Sequence, residues 1–234
     1  MIAIFKRDYR AYFTSPIGYV FCAIFLCLFN LFFYLINVMS NTADMSGAFS
    51  NMLMFTMFLV PVLTMRTFSE DFKQKTDQLL LTSPIKLFDI VLGKFLAAFG
   101  VFLTAMVFTL VYSIIIAAFG EPMPGVVIGN YFAYIALTGA WFSIGLFISS
   151  LTESQIVAGV ISWGVFLGMY LMESLAGAIS IVWLQKVVSW LSVFTRYQTF
   201  LGGVFALKDF IFFLSLCAVF LFLTTRVLEK KRWG

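Results

Sequence analysis

GAFSNMLMFTMFLVPVLTM (47–65), RTFSEDFKQKTDQLLLTSPIKLFDIVLGK (66–94) and FLAAFGVFLTAMVFTLVYSIIIAAF (95–119) follow one another without a break. Two apolar runs, each close to the roughly 20 residues that a helix needs to cross a bilayer, flank a charged island. The island holds five of the 15 Lys and Arg residues and four of the 11 Asp and Glu residues. No other connection between apolar runs is comparably charged. The runs belong in lipid and the island in water, and the rest of the chain sorts by the same logic.

Of the 234 residues, 62% are apolar and 11% charged, with a mean hydropathy of +1.02. A soluble domain carries about 25% charged residues, because its surface needs polar cover whatever its core. Lipid must therefore solvate most of this chain, and 30 Phe residues suit that solvent. There is no His, and Cys22, Cys27 and Cys217 all lie inside apolar runs, where they read as small hydrophobes. A zinc or iron site has no ligand set to draw on. The net charge of +4 is modest and gives no reason to expect nucleic acid.

Six spans are predicted: Ile17–Met39, Gly47–Met65, Phe95–Phe119, Val126–Ser150, Gln155–Met172 and Phe210–Thr225. Lys6, Arg7 and Arg10 precede the first. Arg66, Lys73, Lys75, Lys86 and Lys94 join the second to the third. Arg226, Lys230, Lys231 and Arg232 follow the sixth. These twelve basic residues fall on one side, against Lys186, Arg196 and Lys208 on the other, so the positive-inside rule puts both termini in the cytoplasm. The first run exceeds the 7–15 residues or so of a signal-peptide h-region and has no small-residue cleavage site after it.

Before Thr14, Ile2, Phe5, Tyr9, Tyr12 and Phe13 recur at helical spacing with Lys6 and Arg10 between them. The pattern predicts a helix lying on the inner membrane face, anchored by Phe5, Tyr9 and Tyr12. Ser15-Pro16 then reads as an N-cap and first helical position for the first span. On the outer side, Trp183, Val187, Trp190 and Phe194 fall on one helical face, so residues 173–208 are expected to lie on or dip into the outer leaflet, with Trp183 and Trp190 as anchors. Small residues concentrate in the fourth span (Gly139, Ser143, Gly145, Ser149, Ser150) and the fifth (Ala158, Gly159, Ser162, Gly164, Gly168). They permit close helix approach, either within the chain or at a wall that repacks.

Within the island, Thr67 followed by Glu70 reads as a capping box, predicting a helix from about Thr67. Phe68, Phe72, Thr76 and Leu79 form its apolar stripe, and Pro84 prevents simple continuation. Glu70, Asp71, Lys73, Lys75 and Asp77 lie around the stripe. A helix made only to hold anionic lipid would be mostly basic. Interleaved charge with aromatic anchors suits a protein partner, though an ordinary interfacial helix fits the pattern as well.

The island, the six spans and the amphipathic N-terminal helix together resemble the permease subunit of ABC-2-type transporters. The gliding-motility-associated permeases are the nearest in character, and the copper-processing permeases are similar. Glu70 and Asp71 match the family's acidic step, Leu79, Leu80 and Pro84 its Leu-Leu-x-x-Pro, displaced by Leu81, and Gly93-Lys94 its Gly-Lys. YFTSPIGYV (12–20) and LTESQIVAG (151–159) extend the likeness to most of the chain. Lys75 and Gln78 depart from the pattern, standing where the family often has Gly and Glu.

The resemblance implies one ABC-2-type transmembrane domain over residues 1–234 and an all-α integral membrane fold. That fold would have six transmembrane helices, an interfacial helix at 1–14, a coupling-helix loop at 66–84 and an extracytoplasmic amphipathic segment at 173–208. It implies a coupling helix at about Thr67–Leu80 in which Phe68, Glu70, Asp71, Phe72, Lys75, Asp77 and Leu79 engage a separate ATP-binding subunit. The chain has no G-x-x-x-x-G-K-[ST] loop of its own, so no cofactor is expected here, with ATP and Mg held by that partner. A second permease, identical or related, membrane lipids and an extracytoplasmic auxiliary protein complete the expected partners, in a bacterial cytoplasmic membrane.

Three other classes compete. A secondary transporter keeps ionisable residues at the midplane, and these spans hold almost none. A membrane-embedded enzyme needs a nucleophile with a base, paired carboxylates or a metal. A non-transporting scaffold or force-transmitting subunit of an ABC-like complex is the remaining alternative. The charge-poor spans favour an amphiphilic, lipid-linked or polypeptide substrate over a soluble polyanion.

Overall fold

A computed structural model describes residues 1–76, 86–120, 123–176, 193–201 and 207–233. The described residues form helices and turns only. In chain order the helices are α1 (Ile2–Thr14), α2 (Pro16–Phe33, continued by a π-turn at Tyr34–Val38), α3 (Ser46–Thr64), α4 (Ser69–Gln74) and α5 (Leu87–Phe119). α6 (Pro124–Leu151), α7 (Gln155–Ala176), α8 (Val193–Leu201) and α9 (Leu207–Trp233) follow. Six of these elements are long and apolar enough to cross a membrane: α2, α3, α5, α6, α7 and α9. An even number of spans returns both described ends of the chain to one side, called here the termini end.

The six expected spans are present, with shifted ends. The third begins at Leu87 rather than Phe95, because Leu87, Ile90 and Val91 turn inward and are buried. At about 1.5 Å per residue the 33 residues of α5 reach roughly 50 Å. That exceeds a hydrocarbon layer of about 30 Å, so the helix projects beyond it. The sixth span likewise runs past Thr225 to Trp233. Trp183 and Trp190 lie outside the described residues. Part of the expected outer segment at 173–208 is described, chiefly α8, which buries Val193, Phe194, Tyr197 and Phe200.

Lipid is as apolar as a leucine side chain, so close packing and hydrogen bonds, rather than water exclusion, hold such helices together. α6 is the central element: 78% of its most apolar stretch is buried, against 22% for α2 and for α7. Phe21, Phe25, Phe29 and Phe33 run down α2 four residues apart, all buried. Phe25 meets Phe102 edge-on at 5.7 Å, and Phe29 meets Phe49 at 5.3 Å. Hydroxyls supply the interior polar links. Tyr134 pairs with Thr56, and the Tyr131 hydroxyl donates to the Thr109 carbonyl at 2.9 Å.

The small residues divide by span. A Cβ on Gly145 would come within 2.9 Å of the Thr64 Cβ, so α3 and α6 touch because nothing stands there. Ser143, Ser149 and Ser150 are buried beside it. In α7, Gly164 and Gly168 have nothing within 4 Å of a Cβ and face away from the bundle.

Candidate functional site: the junction at the termini end

α1 is a helix, as its periodicity predicts, and the bundle covers part of its apolar face: Ile4 and Tyr12 are buried, Phe5, Tyr9 and Phe13 are half-buried, and Ile2 stays exposed. Gly93 and Gly100 of α5 let α1 in: a Cβ on Gly93 would sit 3.1 Å from Ile4, and one on Gly100 would sit 3.3 Å from the Tyr9 ring. Phe5 stacks on Tyr9, whose hydroxyl pairs with Thr104 at 2.9 Å. Tyr12 is buried and donates to the Leu63 carbonyl at 2.8 Å. Burial chiefly, helped by the Asp8, Glu70 and Asp71 carboxylates and opposed by Arg66, pushes the Tyr12 phenol well above the ordinary range for tyrosine. The three expected membrane anchors therefore hold α1 to α5 and to the end of α3.

The elbow into α2 is one residue long. Ser15 occupies the N-cap position with Pro16 at the first turn, as expected, yet its hydroxyl turns back to the Tyr12 carbonyl at 3.2 Å. A one-residue elbow exposes the last carbonyls of α1, and Ser15 satisfies one of them. A Cβ on Gly18 would lie 2.7 Å from the Tyr12 carbonyl oxygen, so backbone packs on backbone across the bend.

The expected capping box does not form. The Thr67 hydroxyl donates back to Thr64 at 2.7 Å, and Glu70 is engaged by Arg66 through two bonds of 2.7 and 2.9 Å. Ser149 near the end of α6 takes the capping role across space, accepting the Phe68 and Ser69 N–H groups at 3.1 and 3.2 Å. The Ser69 hydroxyl in turn donates to the Ser149 carbonyl at 3.1 Å. α4 is also shorter than the expected Thr67–Leu80. Lys75 adopts a left-handed conformation with φ of 57°, and its N–H and that of Thr76 return to Phe72 and Asp71, closing the helix after Gln74. Asp77 and Leu79 lie outside the described residues.

Phe68 and Phe72 do not protrude. They are 2% and 6% exposed, stacked on each other at 6.0 Å. Lys231 at the end of α9 covers the Phe72 ring at 3.4 Å. Lys73, Gln74 and Lys75 form the outward surface of α4, while Glu70 and Asp71 are half-buried and paired.

Lys94 is the centre of the junction. It lies inside α5, 4% exposed, and its ammonium donates to the Thr67 carbonyl at 2.7 Å and to Asp8 Oδ2 at 3.1 Å. Asp71 Oδ2 approaches it at 2.6 Å as an ion pair without hydrogen-bond alignment. The Phe68 ring centroid lies 5.2 Å away. Arg7 pairs with Asp8 at 2.7 Å. The Arg7 and Arg66 guanidiniums are held above their ordinary values, each chiefly by its hydrogen bond to Asp8 or Glu70, against partial burial. Around these pairs is a cavity of about 330 Å³, lined by Arg7, Asp8, Tyr12, Arg66, Glu70, Asp71, Gln74 and Lys94 among others.

Of the expected partner-binding residues, the structure brings Phe68, Glu70, Asp71 and Phe72 together and sets Lys75 outside them. Lys94, Asp8, Ser149 and Lys231 were not read as members. Lys94 carried a usable signal: an ammonium within an apolar helix is expensive and calls for a partner. Ser149 and Lys231 carried none, since each meets α4 across a long stretch of sequence.

The fold and junction define a polytopic, all-helical membrane protein in which a short helix at the termini end is tied to several spans. Residues 2–233 match the family described as ABC-2 family transporter protein, and the chain belongs to that family. It is accordingly a multi-pass membrane permease component of an ABC transporter, a class in which a separate subunit typically carries the ATPase. No curated protein matches the chain.

Proposed function

We propose that this chain is the permease of an ATP-driven exporter in a bacterial cytoplasmic membrane, with both termini cytoplasmic. α4 is the coupling helix on which the ATP-binding subunit docks. The observation that carries this reading is the mounting of α4. It shows Lys73, Gln74 and Lys75 outward, while its buried side is bound to α5 through Lys94, to α6 through Ser149 and to α9 through Lys231. A helix displaced by a partner can move the spans only if it is fastened to them. In this reading two permeases, identical or related, pair with two ATPase subunits, and ATP-driven approach of the ATPases moves the α4 helices as bodies. The gliding-motility-associated permeases remain the nearest type by sequence character.

The spans support an amphiphilic, lipid-linked or polypeptide substrate. Interior polarity is supplied by Tyr, Thr and Ser hydroxyls such as Tyr131, Tyr134, Thr56 and Thr109 rather than by charge.

The docking test is co-purification in mild detergent from native membranes. Lys73→Glu with Lys75→Glu is expected to lose the ATPase while the permease inserts and stays folded. Retention of the ATPase by a well-folded double variant would refute docking on α4.

A further inference from the structure

The geometry points to Lys94 as a positioning residue that makes α1 move with α4, so that α1 carries the displacement on to the first span. This rests on the docking reading above.

A buried ammonium needs compensation, and a carboxylate on either side element would supply it. Lys94 has two, from elements far apart in sequence: Asp8 of α1 at 3.1 Å and Asp71 of α4 at 2.6 Å. Removing either element would leave part of a buried charge uncompensated, so both follow the foot of α5. The carbonyl of Thr67, immediately before α4, occupies the same ammonium at 2.7 Å and fixes the start of α4 as well as its middle.

α1 is fitted to transmit what it receives. Gly93 lies one residue from Lys94, and there α1 approaches α5 closely enough that a Cβ would need its neighbours to shift by a few tenths of an ångström, with the Met1 carbonyl 3.2 Å from where it would be. At its other end the Tyr12 carbonyl rests against Gly18 of α2, and the Tyr12 hydroxyl binds Leu63. Backbone-on-backbone contact leaves little room for the elbow to bend independently. The path runs from Asp71 through Lys94 and Asp8 into α1, and from Tyr12 into α2. The other close ion pairs in the described junction do not bridge α1 and α4: Arg7 pairs within α1, feeling the Asp71 charge from further away, and Glu70 pairs with Arg66.

Spin labels test this in the assembled transporter, with Cys22, Cys27 and Cys217 first replaced. One pair, Lys6→Cys with Thr76→Cys just past the end of α4 and outside its docking surface, reports α1 against α4. A second, Thr76→Cys with Ile128→Cys at the far end of α6, reports whether α4 moves at all. In the parent, arresting the complex in its ATP-bound state is expected to shift the second distance and leave the first unchanged. Asp8→Asn keeps the Lys94–Asp71 pair, removes the charge that anchors α1 to Lys94 and also deprives Arg7 of its partner; in it the first distance should shift on ATP binding, whereas in the control Arg7→Gln, which breaks only the Arg7–Asp8 pair, it should stay fixed. Lys94→Met should behave as Asp8→Asn does, and Lys94→Arg should restore the parent behaviour. Loss of this link is expected to weaken nucleotide-dependent coupling about tenfold, within the range for coupled sites. A first distance that shifts in the parent, or stays fixed in Asp8→Asn, overturns the inference and leaves docking on α4 intact. A second distance that does not respond to ATP refutes the docking reading, and this inference with it.

Discussion

Two buried ion pairs stand at opposite ends of the molecule, and they are built differently. At the termini end Lys94 is shared by two carboxylates and a backbone carbonyl that belong to separate elements. At the far end Arg196 of α8 meets Asp209 of α9 at 2.7 Å, with its guanidinium lying 4.1 Å from the centre of the Phe212 ring. The far-end contact joins α8 to the start of the next helix, thirteen residues on. The Lys94 contact joins helices 86 residues apart. Charge placed between distant elements ties them together, whereas charge placed between neighbours fastens a corner. Between the two ends the interior is linked by hydroxyls and rings.

This contrast can be broken by substitution, and the expected losses form a series. Lys94→Met strands Asp71 and leaves Asp8 with Arg7 alone, so a loss of about 3–5 kcal/mol is expected, as for one half of a buried pair. A thermal-shift assay in detergent would read it, and a loss no larger than that of a hydroxyl deletion would deny the shared role. Asp209→Asn removes one charge from the corner at the far end and should cost about 1.5–3 kcal/mol, the range for hydrogen bonds to charged groups. Gly145→Ala forces Thr64 of α3 away from α6, and overpacking of this kind costs about 1–3 kcal/mol. Tyr134→Phe deletes only the bond to Thr56 and should cost about 0.6 kcal/mol, the average for an interhelical hydrogen bond in lipid. If Tyr134→Phe proved as damaging as Lys94→Met, the division between an ionic junction and a hydroxyl-linked interior would fail.

The spans were legible because lipid imposes a simple rule: a length of apolar residues bounded by charge. The same rule hid Lys94. A span ends where charge begins, so Lys94 was set at the foot of the third span, when α5 in fact starts seven residues earlier and buries it. The stripe of Phe68 and Phe72 was read correctly as one face of a helix. Periodicity shows that a face is apolar without showing what covers it, and here it is the chain's own α6 and α9 rather than a partner. The capping box failed for a similar reason. Thr67 and Glu70 have the right spacing, but Arg66 stands four residues before Glu70 and takes its carboxylate, and Ser149 arrives from 80 residues away to cap α4. α1 shows the converse case, in which helical spacing and aromatic content were right, and its Ile4 and Tyr12 pack on the bundle while Ile2 stays exposed.

The account stands on α4 being the element through which a partner acts. The most direct measurement is co-purification of the tagged permease from its native membrane in mild detergent, with mass spectrometry of the bound proteins, for the parent and for Lys73→Glu with Lys75→Glu. The account predicts a Walker-motif ATPase bound to the parent and lost from a double variant of unchanged thermal stability. The same ATPase bound equally to both proteins would contradict it.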